Sequence, residues 1–210
     1  GPEPRSFTWN STDSGDWNVR SNWSPSGSPG IAPNGNHDAI FSDTTSAGST
    51  VYTDTAVTVR RINFDHDQTY VVAGFGSVNL VSGTDSTGDV APVVDTLQGS
   101  HEFQVRVNLH NDSTVNVATD STLTFNNALN LNGNTLTKAG AGTMSIRNDF
   151  VEGTGALNIT EGTVSGNGTV AGSVDNSGGT IAPGNSPGVL SIGGDLNNGA
   201  SGTIAMEIAG

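Results

Sequence analysis

Cysteine is absent from this chain of 210 residues, and lysine occurs once, at Lys138. A fold without cysteine has no disulfide and no thiolate metal site, and it is compatible with export. Seven basic residues stand against 20 acidic ones, which gives a formal net charge of −13. Because a surface of this sign repels phosphate groups, we expect neither nucleic acid nor anionic lipid as a partner.

Long apolar runs are also absent. No stretch approaches the roughly 20 apolar residues of a membrane-spanning helix, so we expect no membrane insertion. No signal peptide is visible, and Gly1-Pro2 resembles the scar left when a protease removes an expression tag. The alternating pattern Ile204–Ile208 ends two residues before the last residue. We therefore expect a piece, truncated at its C-terminus, of a longer secreted or cell-surface protein.

What the chain does contain is turn formers and short apolar patterns. There are 29 glycines among many serines, threonines and asparagines, a composition that suits short strands and tight turns rather than helices. Low hydrophobicity also occurs in disordered chains, but here the apolar residues recur regularly. Phe103, Val105, Val107 and Leu109, for example, alternate with polar residues as in a half-buried strand. The sequence thus predicts an all-β fold.

A repeat is clearest in residues 111–210. Val115, Leu136, Leu157, Ile181 and Ile204 align at steps of 21, 21, 24 and 23 residues. Each step holds further short apolar pairs separated by glycine or asparagine. A step of this length is the size of one coil of a parallel β-helix. We predict that the last four of these residues stack in one inward column. An antiparallel β-sandwich is the alternative.

The remaining sequence divides at residue 48. Residues 1–48 are predicted to form an irregular N-terminal cap that holds all three tryptophans, and residues 49–210 a right-handed parallel β-helix, or β-solenoid. The cap is expected because the open end of a stack of coils exposes strand edges and apolar core.

Residues 134–146 resemble a known repeat. Their sequence, Asn-Thr-Leu-Thr-Lys-Ala-Gly-Ala-Gly-Thr-Met-Ser-Ile, is similar to the autotransporter-associated β-strand repeat, whose core reads Leu-Thr-Lys-x-Gly-x-Gly-Thr-Leu-x-Leu. Residues 181–192 contain a Pro-Gly-Asn-Ser-Pro-Gly turn, a second common element of these secreted bacterial passengers. Residues 8–41 resemble the N-terminal start of such proteins. The resemblance implies an adhesin-like β-helix; related passengers include adhesins and some enzymes.

Several acidic pairs are candidate metal sites. Asp65 with Asp67, and Asp85 with Asp89, are weak calcium candidates, because calcium prefers several oxygen ligands. None matches a known calcium loop, and aspartates in glycine-rich turns ordinarily cap the turn. The histidines lack the spacing of a metal site, His66 being the best placed of them. We therefore expect no cofactor.

Catalytic patterns are not apparent in the sequence. Nothing places two carboxylates opposite each other, and the repeat region offers only Lys138 and Arg147 as bases. Lys138 coincides with the lysine of the repeat core, for which we expect a structural role. No nucleophile elbow, phosphate loop or dinucleotide fingerprint occurs. The sequence thus predicts a protein that is not an enzyme.

The aromatic residues leave two hypotheses open. Trp9, Trp17 and Trp23 either cover the N-terminal end of the coils or stack on sugar rings, with Tyr70 and Phe75 as further candidates for sugar contact. The leading expectation is a structural or adhesive module outside the cell, whose partner is a polysaccharide or another surface protein. The alternative is a carbohydrate-binding module of a polysaccharide-degrading protein, and a lyase or hydrolase ranks third. Exposed tryptophans would favour sugar binding.

Overall fold

The fold consists of three long sheets of stacked strands. The computed structural model describes residues 3–31, 35–42, 48–147, 150–184 and 188–207. Within these ranges one 3-10 turn, Arg20–Asn22, is the single helical element, and the other elements are short strands numbered β1–β28. This agrees with the all-β prediction from composition.

Sheets A and B are the longest. Sheet A has ten strands, in the spatial order β3 (Trp23–Ser24), β1 (Arg5–Trp9), β4 (His37–Ser42), β7 (Arg61–Asp65), β12 (Val93–Gln98), β15 (Ser113–Val117), β18 (Thr135–Ala139), β21 (Ala156–Ile159), β24 (Ser173–Asn176) and β27 (Leu196–Asn198). Sheet B has nine strands, in the order β2 (Gly15–Asp16), β5 (Ser49–Tyr52), β8 (Tyr70–Ala73), β13 (Ser100–Phe103), β16 (Thr122–Phe125), β19 (Thr143–Ile146), β22 (Thr163–Gly166), β25 (Thr180–Pro183) and β28 (Thr203–Ile204).

Sheet C and a hairpin complete the fold. Sheet C has seven strands, in the order β6 (Ala56–Val59), β9 (Ser77–Leu80), β14 (Arg106–Leu109), β17 (Leu129–Asn130), β20 (Phe150–Glu152), β23 (Thr169–Val170) and β26 (Ser191–Ile192). The antiparallel hairpin is β10 (Gly83–Asp85) and β11 (Gly88–Val90).

The chain visits the sheets in turn. From β12 onward, successive strands belong to sheets A, B and C and then to sheet A again, and each pass lies beside the previous one. The pairs within the three sheets are parallel, apart from β1 with β3. The antiparallel sandwich is therefore excluded, and the arrangement is compatible with a β-helix.

An aromatic column fills the N-terminal half of the core. The ring of Phe41 stacks on Phe64 with 5.1 Å between centroids. Phe64 contacts Phe103 at 5.7 Å, and Phe103 stacks on Phe125 at 5.4 Å. All four rings are buried. They come from alternate positions of their strands, so the period-two pattern in the sequence places each of them inside.

Residues 1–48 are not irregular where they are described. β1 pairs in parallel with β4, and β4 pairs in parallel with β7, so sheet A continues back to Arg5. β2 adds a strand to sheet B in the same way. The prediction of an irregular segment was wrong for these strands, because they are short and separated by turn-forming residues that hide the alternation.

The predicted column of four residues is only half right. Leu136 faces Leu157 in sheet A, as expected, but the next residue in that column is Val174. Ile181 lies in sheet B, between Val164 and Ile204. The repeat read from the sequence therefore follows sheet A up to Leu157 and sheet B after it. The reason is that the coil from Leu157 to Val174 is shorter than the others.

Replacing Leu157 tests this register. Its side chain is 1% exposed, between Leu136 and Val174. Leu157→Ala is expected to lower the free energy of unfolding by about 2–5 kcal/mol through lost burial and a cavity. Thr154→Ala, at an exposed position, should cost less than about 0.5 kcal/mol. Equal midpoints and slopes of the two variants in urea denaturation would contradict the inward position.

Candidate functional site

Phe75 stands outside the fold on a tight turn between sheets B and C. Its side chain is 99% exposed. Gly74, before it, has φ +125, and a Cβ there would lie 2.1 Å from the carbonyl oxygen of Thr53. A Cβ on Gly76 would lie equally close to the carbonyl oxygen of Thr55. The glycines on both sides let the turn lie against the preceding coil, with Phe75 directed into solvent.

A surface cavity of about 400 Å³ lies beside this ring. Tyr52, at the end of β5 and opposite Ala73 of β8, contributes a second aromatic side chain, which is 47% exposed. The floor is formed by Ala73 and Gly74, and Asp54 and Gln104 supply polar groups. We call Tyr52, Asp54, Ala73, Gly74, Phe75 and Gln104 the aromatic patch.

The polar groups of the patch are held in place by local hydrogen bonds. The backbone N–H of Phe75 donates to Oδ1 of Asp54 at 3.1 Å. The Gln104 side chain donates to Oε1 of Glu102 at 2.9 Å, and its backbone N–H donates to the carbonyl of Val72. Exposed aromatic faces beside fixed carboxylate and amide groups can contact the C–H face and the hydroxyls of a sugar.

The three tryptophans are buried, in contrast to Phe75. Trp9 and Trp17 are 0% exposed and Trp23 is 2% exposed. Their rings contact one another and lie against Phe41 at centroid distances of 5.5 to 6.4 Å. β1 and β3, which carry Trp9 and Trp23, are the last strands of sheet A at its N-terminal end. A sugar ring has no access to these indoles, and their position is the one that the cap hypothesis expects.

Tyr70 is also inaccessible. Its side chain is buried at the start of β8, and its hydroxyl donates to the carbonyl of Ser42 at 2.9 Å. Its ring stacks on His101, 6.1 Å away. Among the five side chains expected to contact sugar, Phe75 is therefore the one that solvent reaches.

The calcium candidates do not converge. Asp65 accepts a hydrogen bond from Gln98, and Asp89 lies in the exposed hairpin strand β11. The hydroxyl and the N–H of Thr87 both donate to Asp85 and lower the pKa of its carboxyl group. Asp67 lies beside His66, 3.1 Å from the ring nitrogen. Among the residues that the structure describes, no group of three or more His, Asp or Glu side chains could hold a metal ion.

Lys138 is fully buried in an inward column of sheet A. It lies between Val115 and Ile159. Its ammonium group donates to three backbone carbonyls, those of Gly140 at 2.6 Å, Ala139 at 2.9 Å and Glu161 at 3.1 Å. Burial lowers the pKa of Lys138 to about 8, and the nearby Glu161 opposes this shift. The side chain binds the corner of its own coil to the next one.

Sequence reasoning found Phe75 but missed Tyr52, Asp54 and Gln104. Tyr52 and Phe75 come from consecutive coils, and Gln104 comes from the following one. A correct alignment of the coils places Tyr52 beside Ala73, two residues before Phe75. That register is the signal that could have revealed the patch.

No helix in the described ranges is long and apolar enough to cross a membrane. The resemblance of residues 134–146 to the autotransporter-associated repeat remains an expectation from those residues. No family model, no curated protein and no solved structure matches this chain.

Proposed function

We propose that this chain is a non-catalytic extracellular module with a structural or adhesive role, folded as a right-handed parallel β-helix. The observation that carries the proposal is the unbroken stack of parallel strands from Arg5 to Ile204 in sheets A and B. Crossover connections between parallel strands are right-handed in about 98% of cases, which favours this hand. A stack of this kind is a stiff spacer with a regular outer surface.

The outer surface suits display. One outward row of sheet B carries a hydroxyl in each of six neighbouring strands: Ser100, Thr122, Thr143, Thr163, Thr180 and Thr203. Neighbouring side chains in such a row are about 4.8 Å apart, the spacing of strands in a sheet. A ladder of short polar groups keeps the face flat and hydrated, as a spacer or adhesive surface requires.

Retention on insoluble polysaccharides, measured together with release of soluble product, tests the leading proposal. We expect retention on at least one polysaccharide and no new reducing ends or unsaturated sugars after prolonged incubation. Product that appears with the purified chain, and that is lost when Arg147 is replaced, would show an enzyme. If the chain binds no polysaccharide and no cell-surface preparation, the adhesive role is contradicted.

The second candidate function is sugar binding at the aromatic patch, favoured by the exposed ring of Phe75. Phe75→Ala is expected to leave the melting temperature unchanged, since the side chain contacts little of the fold, and to weaken binding to a retained polysaccharide about tenfold, or roughly 1.4 kcal/mol. Affinity electrophoresis measures the loss.

A matched control removes an exposed apolar side chain elsewhere. Leu97 is 46% exposed in β12, outside the patch, and Leu97→Ala should leave binding as in the wild type. If the two variants bind equally well, the patch is not the sugar site.

A further inference from the structure

A second cavity, of about 250 Å³, lies at the N-terminal end of sheet A. The start of β1, the start of β4 and residues 20–31 enclose it. The side chains that matter for its chemistry are those of Arg5, Phe7, Arg20, Ser28, Ile31 and His37. We call it the arginine cavity; it shares no residue with the aromatic patch.

His37 lines this cavity and has a ring N–H that can donate a hydrogen bond. The residue is 7% exposed, and its Nδ1 accepts a hydrogen bond from the backbone N–H of Gly30 at 3.0 Å. The neutral ring therefore carries its proton on Nε2. Burial, and then the charge of Arg5, lower the pKa of His37, whereas the neighbouring Asp38 raises it, and the net shift favours the neutral ring. Nε2 has no protein acceptor among the described residues, and His37 lines the cavity.

Two arginines supply positive charge beside this donor. Arg5 is the direct neighbour of His37 across the β1–β4 pair, and its guanidinium carbon lies 5.5 Å from the centre of the Phe7 ring. Arg20 reaches the cavity from the 3-10 turn. Neither arginine forms an ion pair with a described carboxylate.

This lack of carboxylate partners is informative in such an acidic chain. Acidic residues outnumber basic ones by 20 to seven. Arg60 and Arg61 illustrate the alternative, because they pair with Asp38 and Asp95. The arginine cavity instead gathers two of the seven basic side chains and an imidazole N–H, and so favours an anionic group.

We propose that the arginine cavity binds one carboxylated sugar, a uronate residue at the end of an acidic polysaccharide. The guanidinium groups and the His37 N–H would hold the carboxylate. Ile31, which is 56% exposed, offers an apolar surface to the C–H face of a pyranose ring, and the buried Phe7 ring forms part of the cavity wall. The Ser28 hydroxyl donates to the carbonyl of Asn18 at 2.9 Å, so its oxygen would accept a hydrogen bond from a sugar hydroxyl. The cavity has room for a single sugar ring. We therefore expect it to bind the residue at the end of a polysaccharide and not one within the chain.

Titration of the full chain with methyl glucuronide and methyl galacturonide, followed by NMR, tests this. We expect millimolar affinity, a shift of the His37 Nε2 resonance, and at least tenfold weaker binding of methyl glucoside and methyl galactoside, which lack the carboxylate. A uronate oligosaccharide should bind through one end residue, with an affinity similar to that of the monosaccharide. Phe75→Ala should leave this binding unchanged, which separates it from sugar binding at the aromatic patch.

Arginine variants locate the site. Arg20→Gln is expected to reduce uronate affinity at least tenfold without changing the melting temperature, because Arg20 is exposed. Arg147→Gln, which removes the same charge from an exposed position outside the cavity, is the matched control and should bind as the wild type does. Equal binding of uronates and neutral glycosides, or equal effects of the two variants, would overturn the proposal. Tighter binding of acetate, phosphate or a glutamate-rich peptide would do the same.

Discussion

Trp17→Ala is expected to lower the free energy of unfolding by about 3–5 kcal/mol, the range for a buried aromatic residue. The indole is 0% exposed, and its N–H donates to the carbonyl of Pro29 at 2.8 Å. The carbonyl of Trp17 in turn accepts the indole N–H of Trp23 at 2.7 Å. Loss of the ring therefore leaves a cavity against Phe41 and leaves the carbonyl of Pro29 without its hydrogen-bond donor.

Urea denaturation followed by circular dichroism measures this effect. Trp17→Phe keeps part of the apolar contact and loses the indole hydrogen bond, so its cost should be smaller. Val19→Ala, at a side chain that is 44% exposed, should be nearly neutral and serves as the control. A Trp17→Ala variant with wild-type stability and lost polysaccharide binding would overturn the cap hypothesis and make Trp17 a sugar-contact residue.

Lys138→Glu is expected to be the most damaging single substitution in the repeat region, with a cost of about 5 kcal/mol or more. The three carbonyl oxygens that now accept hydrogen bonds from the ammonium group would face a buried negative charge. Lys138→Met preserves much of the side-chain volume and leaves the carbonyls without a donor, so its cost should be intermediate. Chemical denaturation at neutral pH gives both values, and a Glu variant as stable as the Met variant would contradict the buried position.

The pH dependence gives a separate test of Lys138. The pKa of its amino group falls from 10.5 to about 8 on folding, because burial disfavours the charged form. Above a pH of about 8 the unfolded chain therefore binds a proton that the folded chain has released, and the free energy of unfolding rises with pH until the unfolded chain also titrates. The stability difference between wild type and Lys138→Met should grow as the pH is raised from about 8 towards 10.5. A constant difference would show an unshifted pKa.

Much of the core could be predicted from alternation alone. The inward residues Val51, Val57, Val59, Ile62 and Phe64 alternate with polar residues in the sequence, and all are fully buried. The same holds for Phe103, Val105, Val107 and Leu109. Period-two alternation identifies the inward face of a strand whatever lies next to it.

Register between coils was harder to predict. It depends on the length of each turn, and a fixed period cannot supply it. Leu157 and its partner Val174 are closer in the chain than Leu136 and Leu157 are, whereas the hairpin β10–β11 lengthens the chain between Ile62 and Val94. A constant step of about 22 residues therefore passes from Leu157 to the wrong sheet.

In the candidate sites, too, single residues could be predicted from the sequence, but their contacts with neighbouring strands could not. Phe75 between two glycines could be recognised from the sequence as an exposed aromatic residue. Tyr52 joins it only because their strands are adjacent, and Arg5 meets His37 only because β1 lies beside β4. Contacts of this kind depend on pairings that local patterns do not encode.

The aromatic column has a mechanical consequence. Rings fill the core from Trp9 to Phe125, while the next two positions after Phe125 in the same column of sheet B hold Ile146 and Gly166, which carry no ring. In a stack where each coil contacts only its neighbours, the opening of coils is a local event governed by nearest-neighbour contacts. A pulling force or a protease should therefore peel coils from the C-terminal end first, and hydrogen exchange should slow progressively towards the tryptophans. Unfolding would then proceed stepwise, one coil at a time, from the C-terminal end towards the tryptophans.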